Sequence, residues 1–245
     1  LIVQNEVGYK NLLDLVSVSF IESKGSEKSQ IFLSDLESKN EGLIVLSGGT
    51  SGSVGRLVAD DEIQEAESTL LKFSEIFGDR FYMEIQRHGM DQQRKSESIL
   101  LDLAYKHNVP IVATNDCYFD IEEMHEAHNI LLCIAESNTI TNPARRQLTK
   151  EHRFKSADEM RQLFSDLPEA IENTLVISQR CSYMPRTMEP ILPKYVSENG
   201  NNEETELQKM AENGLERRLA NHQFQLGVGS GSAEQLRNSY FSRLK

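Results

Sequence analysis

The chain has 245 residues, which is the length of one large domain or of a domain with an appendage. It carries 26 Lys and Arg against 38 Asp and Glu, and the formal charge of −12 disfavours an autonomous DNA-binding module because such a surface repels phosphate backbones. Three widely spaced cysteines without a C-x-x-C support neither a disulfide framework nor a Cys-based zinc knuckle, and they favour a cytoplasmic protein. No apolar run approaches the roughly 18 residues of a transmembrane helix, so no membrane partner is expected.

Strands and helices alternate over the first half of the chain. Apolar residues at helical spacing and short apolar runs bounded by turn residues predict strands at 42–46, 81–86 and 111–114 and helices at 9–20, 60–77 and 92–107. Asp60 and Asp61 are expected to open the second helix, and Gly78 to end it. Segments of these lengths indicate two right-handed crossovers and a parallel sheet.

From Asp120 onward the pattern is mainly helical. Ser156 and Glu159 form a predicted capping box, and three prolines predict an extended segment at 184–195. Polar or glycine-rich stretches predict loops at 24–29, 198–204 and 227–232. The predicted helices of this half lie at 122–134, 156–164, 168–181, 207–222 and 233–245.

Polar side chains follow all three predicted strands, where the working residues of parallel α/β folds lie. The glycine-rich turn 48–55 could cradle a phosphate, but it lacks a G-x-G-x-x-G fingerprint and a P-loop lysine, so we prefer a tight turn. Glu84 and Gln86 share one face of the second strand, and His88 follows it. These residues form either a polar cluster at the mouth of a barrel or a loop in which His88 bonds to the backbone.

The third predicted strand ends in the sequence Thr114, Asn115, Asp116, Cys117 and Tyr118. Packing of a buried strand does not require such residues at its exit, so they favour a site, active or vestigial, in which Asp116 could bind a metal ion. The alternative is that Asp116 is the N-cap of the helix expected near Asp120.

The helix at 122–134 carries a further histidine pair, His125 and His128, among three glutamates. An H-x-x-H pair without a third ligand is a weak metal signal, so we interpret this helix as a solvated acidic face with one histidine packed inward. Cys133 lies in an apolar stretch of the helix and is predicted to be a core residue.

Several motifs, taken together and in order, resemble the family of bacterial replicative DNA polymerase III alpha subunits. They are the segments 1–12, 42–52, 84–89, 113–116, 127–134, 167–174 and 214–219. The resemblance implies an α/β fold: a partial PHP-type (polymerase and histidinol phosphatase) distorted β/α barrel, with parallel strands and crossover helices, followed by a mainly helical segment. It assigns 1–190 to the later part of the PHP domain and 191–245 to an extended linker and helices leading into a truncated polymerase core.

Two departures from the family pattern concern the metal site. Gly49 stands where metal-binding members have Cys, and Tyr118 stands where they have His. The resemblance therefore implies a vestigial site formed by Asp116, Tyr118, Gly49 and His88, in which Asp116 is the one retained ligand position. No bound metal is expected, because glycine offers no ligand atom and a neutral phenol is a poor ligand. Tyr118 is expected instead to fill the space of the lost ligand and to form a hydrogen bond with a neighbour such as Asp116.

The resemblance also implies a function for the longer protein, namely DNA-directed DNA synthesis with Mg²⁺. Its implied partners are a proofreading exonuclease subunit, other replicase subunits, and DNA bound through regions outside this chain. The chain itself is expected to be a scaffold and docking portion without catalytic residues or a bound cofactor. The alternatives are a metal-dependent PHP phosphoesterase of the 3′–5′ exonuclease type, disfavoured by Gly49 and Tyr118, and a nucleotide-binding protein that uses the turn 48–55, disfavoured by the missing phosphate fingerprint.

Overall fold

The computed structural model describes residues 1–21, 29–193, 195, 197, 200–226 and 230–244. The chain divides into two compact units, Leu1–Pro185 and Arg186–Lys245. Most of the predicted loop at 24–29, residues 198 and 199 of the polar linker, and residues 227–229 of the glycine-rich loop lie outside the described residues.

A four-stranded sheet in the order β1-β2-β3-β4 forms the centre of the first unit. The three predicted strands are confirmed as β2 (Leu43–Leu46), β3 (Phe81–Gln86) and β4 (Ile111–Thr114), and they are parallel. The edge strand β1 (Ile2–Val3) pairs antiparallel with β2, and its two residues are too few to give a pattern in the sequence. Because β2, β3 and β4 are parallel neighbours, their carboxyl ends meet at one edge of the sheet.

The helices that connect these strands agree with the sequence prediction except at residues 33–38, where a helix was not predicted, and near residues 53–61. The first-half helices are α1 (Glu6–Ile21), α2 (Leu33–Ser38), α3 (Ser53–Ala59), α4 (Ile63–Phe77) and α5 (Asp91–Lys106). Asp60 and Asp61 do not open α4: they form the turn after α3, where Asp61 has φ +64°, and Glu62 is the N-cap of α4. Gly78, with φ +55°, ends α4 as predicted.

Helix α3 begins inside the stretch 48–55 that was predicted as a tight turn, and the turn itself is confined to residues 48–52. The chain passes from β2 through a single 3₁₀ turn, Gly49–Ser51, directly into α3. A Cβ atom at Gly52 would lie 1.7 Å from the carbonyl oxygen of Ser47, so this connection requires glycine for its close backbone approach.

The core lies on both faces of the sheet, because successive strand residues point to opposite sides. Leu43, Met83 and Ile111 pack against α4 and α5 on one face, where Leu70 and Phe77 are fully buried. On the other face a smaller cluster is formed by Ile44, Tyr82, Val112 and Ile177. This two-sided packing fixes the strand ends that carry the polar residues.

The second half is mainly helical, as predicted. Its helices are α6 (His125–Ala135), α7 (Ala157–Leu163), α8 (Pro168–Arg180), α9 (Glu203–Leu226) and α10 (Ser230–Leu244). The capping box of α7 is confirmed, and an ion pair with Arg153 and hydrogen bonds from Ser156 lower the pKa of Glu159 to about 2. Residues 230–232, predicted as loop, are the start of α10. None of the helices in the described part of the chain is long and apolar enough to cross a membrane.

Candidate functional site

A buried carboxylate, that of Glu84, links the ends of the three parallel strands. Its Oε2 accepts a hydrogen bond of 2.9 Å from the backbone N–H of Gly48, after β2. Its Oε1 accepts a hydrogen bond of 3.2 Å from Gln86 Nε2 and a second from the hydroxyl of Thr114, at the end of β4. In a phosphate-binding turn, the backbone N–H of Gly48 would donate to the phosphate. Here it donates to the carboxylate of Glu84 instead.

Gly49, which stands where metal-binding family members have cysteine, has a neighbouring side chain close to its Cα. Gly49 has φ +55°, in the left-handed region, and a Cβ atom there would lie 2.5 Å from Oε1 of Gln86. The Gln86 amide also donates to the Thr114 hydroxyl at 3.2 Å, which holds it in place. The amide therefore occupies the space that a side chain at position 49 would need.

His88 is 1% exposed and has partners on both sides of its ring. Gln93 Oε1 accepts from the His88 backbone N–H at 2.7 Å, and the Gln93 side-chain nitrogen lies 3.0 Å from Nδ1 of the ring. Nε2 lies 3.1 Å from Asn115 Oδ1 and 3.1 Å from the backbone N–H of Asp116, so both ring nitrogens have hydrogen-bond partners. Burial, aided by the nearby His152 and Lys155, lowers the pKa of His88 to about 4 and keeps the ring neutral.

Two buried polar residues of this cluster, His152 and Lys155, were not predicted from the sequence. The His152 ring is 4% exposed and stacks on His88, and its Nδ1 lies 3.0 Å from the hydroxyl of Thr149. Thr149 in turn donates to the carbonyl of His88 at 2.7 Å. Burial lowers the pKa of His152 as well. No periodic pattern marks residues 149–155, so only the tertiary fold reveals their place beside β3.

The ammonium group of Lys155 is the charged member of the cluster. Lys155 is 8% exposed, and its Nζ lies 3.3 Å from Asn115 Oδ1 and 3.3 Å from the carboxylate of Glu151. It also donates to the Glu151 carbonyl. A fixed cation at this point opposes the binding of a second cation nearby.

Asp116 and Tyr118, the other two predicted site residues, lie at the rim of the cluster. The Asp116 backbone N–H lies 3.1 Å from His88 Nε2, and its side chain is exposed. Asp116 is not a helix cap, because the N-cap of the next helical turn, Glu122–Met124, is Ile121. The Tyr118 hydroxyl accepts a hydrogen bond of 2.6 Å from Arg146, whose guanidinium carbon lies 5.2 Å from the phenol ring centroid. The expected partner of Tyr118 was a neighbour such as Asp116, and Arg146 takes that place.

The second histidine pair lies on α6, outside this cluster. His125 Nε2 lies 2.7 Å from the carbonyl oxygen of Leu148, and both His125 and His128 are half-buried with their rings near Phe119. The prediction that only one of them packs inward is therefore wrong. The prediction for Cys133 is confirmed, since it is 7% exposed.

The side chains at the strand ends do not fit a bound metal. Gly49 offers no ligand atom, both ring nitrogens of His88 and the Tyr118 hydroxyl have hydrogen-bond partners, and Lys155 places a positive charge beside Asn115. Within the residues that the structure describes, no group of three or more His, Cys, Asp or Glu side chains could hold a metal ion. The cluster is suited to joining strand ends through hydrogen bonds.

Comparison with known proteins supports the family resemblance inferred from the motifs. Residues 1–88 match the PHP domain family. The chain is 45% identical over 219 residues to the DNA polymerase III subunit alpha of Caulobacter vibrioides, covering 89% of this chain and 19% of that protein. The subunit of Rickettsia bellii is 39% identical over 245 residues, covering 100% of this chain and 21% of the relative. The subunit of Pseudomonas aeruginosa is 36% identical over 220 residues, covering 89% and 19%.

The chain thus spans about a fifth of the length of these curated relatives. The predicted resemblance to DNA polymerase III alpha subunits with a PHP domain is confirmed. The expected fold class, a partial PHP-type α/β arrangement followed by helices, is also confirmed.

Proposed function

We propose that this chain is a scaffold and docking portion of a DNA polymerase III alpha subunit, and that the whole protein carries out DNA-directed DNA synthesis with Mg²⁺. The observation that carries the proposal is the 39% identity to such a subunit along all 245 residues. Residues 1–190 are assigned to the later part of the PHP domain, and 191–245 to a linker and helices leading into the polymerase core.

The polar cluster at the strand ends is, in this proposal, a degenerate metal site with a structural role. Three observations support it: Gln86 crowds position 49, the nitrogens of His88 are hydrogen-bonded to neighbouring side chains, and Arg146 bonds the hydroxyl of Tyr118. Asp116 alone remains at a family ligand position, and one carboxylate leaves most coordination positions to water.

The proposal also includes the partners and location of the longer protein. A proofreading exonuclease subunit and other replicase subunits bind it in the cytoplasm, and DNA binds through regions outside this chain. The charge of −12 supports the last point, because it weakens contact with phosphate backbones.

Primer extension tests the proposed activity. The full-length protein that carries this chain should extend a primed DNA template with deoxynucleotides and Mg²⁺, and chelation of the metal should stop the reaction. A pure, folded full-length protein that extends no primer would contradict the assignment to the polymerase family's activity.

Metal analysis tests the degenerate site separately. After dialysis, the protein should contain far less than one equivalent of zinc or manganese, and Asp116→Ala should not change the amount. Asp158→Ala, at an exposed aspartate on α7, is the matched control. One equivalent of metal that is lost only in Asp116→Ala, together with metal-dependent hydrolysis of a phosphate ester, would favour the phosphoesterase alternative.

A further inference from the structure

Helix α6 exposes an apolar face that the first unit leaves uncovered. Four large side chains form this face, which we call the α6 outer face: Met124 at the N-cap of α6, and Ile130, Leu131 and Ile134 within the helix, with exposed fractions of 47%, 45%, 60% and 70%. They lie opposite the buried side of the helix, which carries Asn129 and Cys133. A contiguous exposed apolar face of this kind is typical of a surface that binds another molecule.

Acidic side chains border the α6 outer face. Glu123 and Glu126 are both exposed, and in the described ranges neither of them forms an ion pair. A third nearby carboxylate, that of Glu122, is paired with Lys150 at 2.7 Å. With Arg145 also beside these groups, three glutamates face two cations, and the net negative charge that remains attracts a basic partner.

A cavity of about 410 Å³ adjoins this border, between α6 and the loop that follows it. Glu123, Glu126 and Asn129 line the cavity, and Asn129 is 7% exposed. Its Oδ1 is buried and has no hydrogen-bond partner among the described residues. The cationic residues that also line the cavity are engaged, since Arg145 donates to the carbonyl of Ile140 and Lys150 to Glu122. The cavity thus offers acceptors for a donor group on a long side chain.

The charge and geometry of the face select one kind of occupant. A second copy of the chain is disfavoured, because pairing two α6 outer faces would bring like-charged glutamates together. An added β-strand is disfavoured too, because the backbone of α6 is already hydrogen-bonded within the helix and offers no free edge. An amphipathic helix satisfies its own backbone and can place basic side chains beside its aliphatic ones.

We propose that the α6 outer face and its cavity bind an amphipathic helix of another protein, with aliphatic side chains on the face and a Lys or Arg side chain directed to Glu123, Glu126 and Asn129. This inference rests on the proposed scaffold role and specifies the chemistry of one partner. Failure of this inference can be distinguished from failure of the proposed function. Metal analysis tests the strand-end cluster and primer extension tests the polymerase activity, whereas peptide binding tests α6.

The experiment measures binding of a fluorescent amphipathic Leu–Lys peptide of about five helical turns to the full-length protein that carries this chain. Leu131→Glu should weaken binding about tenfold, because the new charge lies in the centre of the apolar contact. Leu175→Glu is the matched control: Leu131 is 60% exposed on α6 and Leu175 is 63% exposed on α8, and both changes add one negative charge. This control should alter the dissociation constant less than about twofold.

The charged border is tested by a second matched pair. Glu126→Lys should weaken binding about threefold to fivefold at low salt, and the effect should fade at high salt. Glu172→Lys changes the net charge equally at an exposed position of α8 and should have no such effect. Ile134→Glu provides an independent variant, should Leu131→Glu fail to fold by circular dichroism.

Several results would overturn the proposal. The first is that a Leu–Glu peptide with the same spacing of leucines binds as tightly as the Leu–Lys peptide. The second is that Leu175→Glu weakens binding as much as Leu131→Glu does. The third is that the full-length protein does not bind the peptide, which would mean that its remaining part covers α6. Self-association that Leu131→Glu abolishes would assign the face to a second copy instead.

Discussion

The imidazole rings of His88 and His152 are stacked, with centroids 4.1 Å apart and ring planes inclined by 13°. His88 follows β3, and His152 belongs to a short turn between α6 and α7. The stack therefore joins the edge of the sheet at the carboxyl ends of the parallel strands to a segment distant in the sequence. Such close stacking favours two neutral rings. A protonated ring would be repelled by the Lys155 ammonium, and two protonated rings would repel each other. The junction is therefore expected to be sensitive to acid.

The first prediction is a loss of stability between pH 6.5 and pH 4. The unfolded chain protonates His88 at its ordinary pKa of 6.5, whereas the folded chain does so only at about 4. Within this window the unfolded state binds more protons, so the free energy of unfolding should fall as the pH falls, by up to about 1.4 kcal/mol per pH unit for one proton. Urea unfolding of the 245-residue chain at a series of pH values measures this slope.

Two variants identify the histidine responsible for that slope. His88→Gln should be less stable than the wild type at neutral pH but should show a shallower loss towards acid. His107→Gln is the control, because His107 contacts the Glu67 carboxylate at 2.5 Å and is not part of the stack. The same slope in His88→Gln and in the wild type would show that the neutral stack does not cause the acid sensitivity.

The second prediction concerns the return of the family cysteine. Gly49→Cys should reduce the free energy of unfolding by roughly 2–4 kcal/mol, since left-handed backbone costs a side chain about 1–2 kcal/mol and crowding by Gln86 adds to it. Gly89→Cys should cost only the backbone part, because Gly89 has φ +73° and no atom within 4 Å of its would-be Cβ.

A double-mutant cycle tests the role of Gln86 in this crowding. Adding Gln86→Ala to Gly49→Cys should recover about 1 kcal/mol relative to the sum of the two single changes. Purely additive losses would mean that the glutamine amide does not occupy the space required by a side chain at position 49.

The main elements of the sheet were predictable because their signals are local. The apolar runs around Leu43, Phe81 and Ile111 are short, buried and followed by polar residues, and all three are strands. Helix α3 was not predicted, because it contains Gly55 and directly follows three other glycines, a composition that is typical of a turn. Local patterns also gave the positions of Glu84, Gln86 and His88 at one strand end.

The remaining members of the cluster depend on contacts that no local pattern encodes. His152 and Lys155 lie in a segment without helical or strand periodicity, and only the tertiary fold brings them to His88. The partner of Tyr118 was missed for the same reason, since Arg146 lies in an irregular loop. Topology predicts which strand ends meet, but it does not predict which loops cover them.

The third prediction concerns Arg87, which follows β3 and joins two other segments. Its guanidinium donates to the carboxylate of Asp166 at 2.6 Å and 2.8 Å and to that of Glu97 on α5. It also donates to the carbonyl of Leu163 at 2.7 Å, and its carbon lies 4.7 Å from the ring centroid of Phe164. Arg87→Ala should cost about 2–4 kcal/mol in urea unfolding, because it leaves partly buried carboxylate and carbonyl groups without a donor.

The controls for Arg87 separate its geometry from its charge. Arg87→Lys should recover only part of the loss, since one ammonium cannot reproduce the planar fork that bonds two carboxylates. Arg161→Ala removes an exposed pair with Asp158 and should cost less than about 0.5 kcal/mol. Equal losses for Arg87→Ala and Arg161→Ala would contradict the proposed link between β3, α5 and the α7–α8 connection.

The last prediction concerns the segment at the boundary of the two units. Residues 184–193 form neither helix nor strand, and Met184, Met188, Ile191 and Leu192 are 75–85% exposed. Proteases bind their substrates as extended, accessible chain, so trypsin should cleave early after Arg186, at the boundary between the units. Arg161 is also exposed, but it lies in α7 and should be cleaved more slowly, because the helix must first unfold.

Mass spectrometry of a brief digest measures both new carboxyl termini, and Arg186→Gln should remove the first of them without hastening cleavage at Arg161. If Arg161 were cleaved as fast as Arg186, the extended segment would not be the preferred point of attack, and the division of the chain near residue 185 would lose this support.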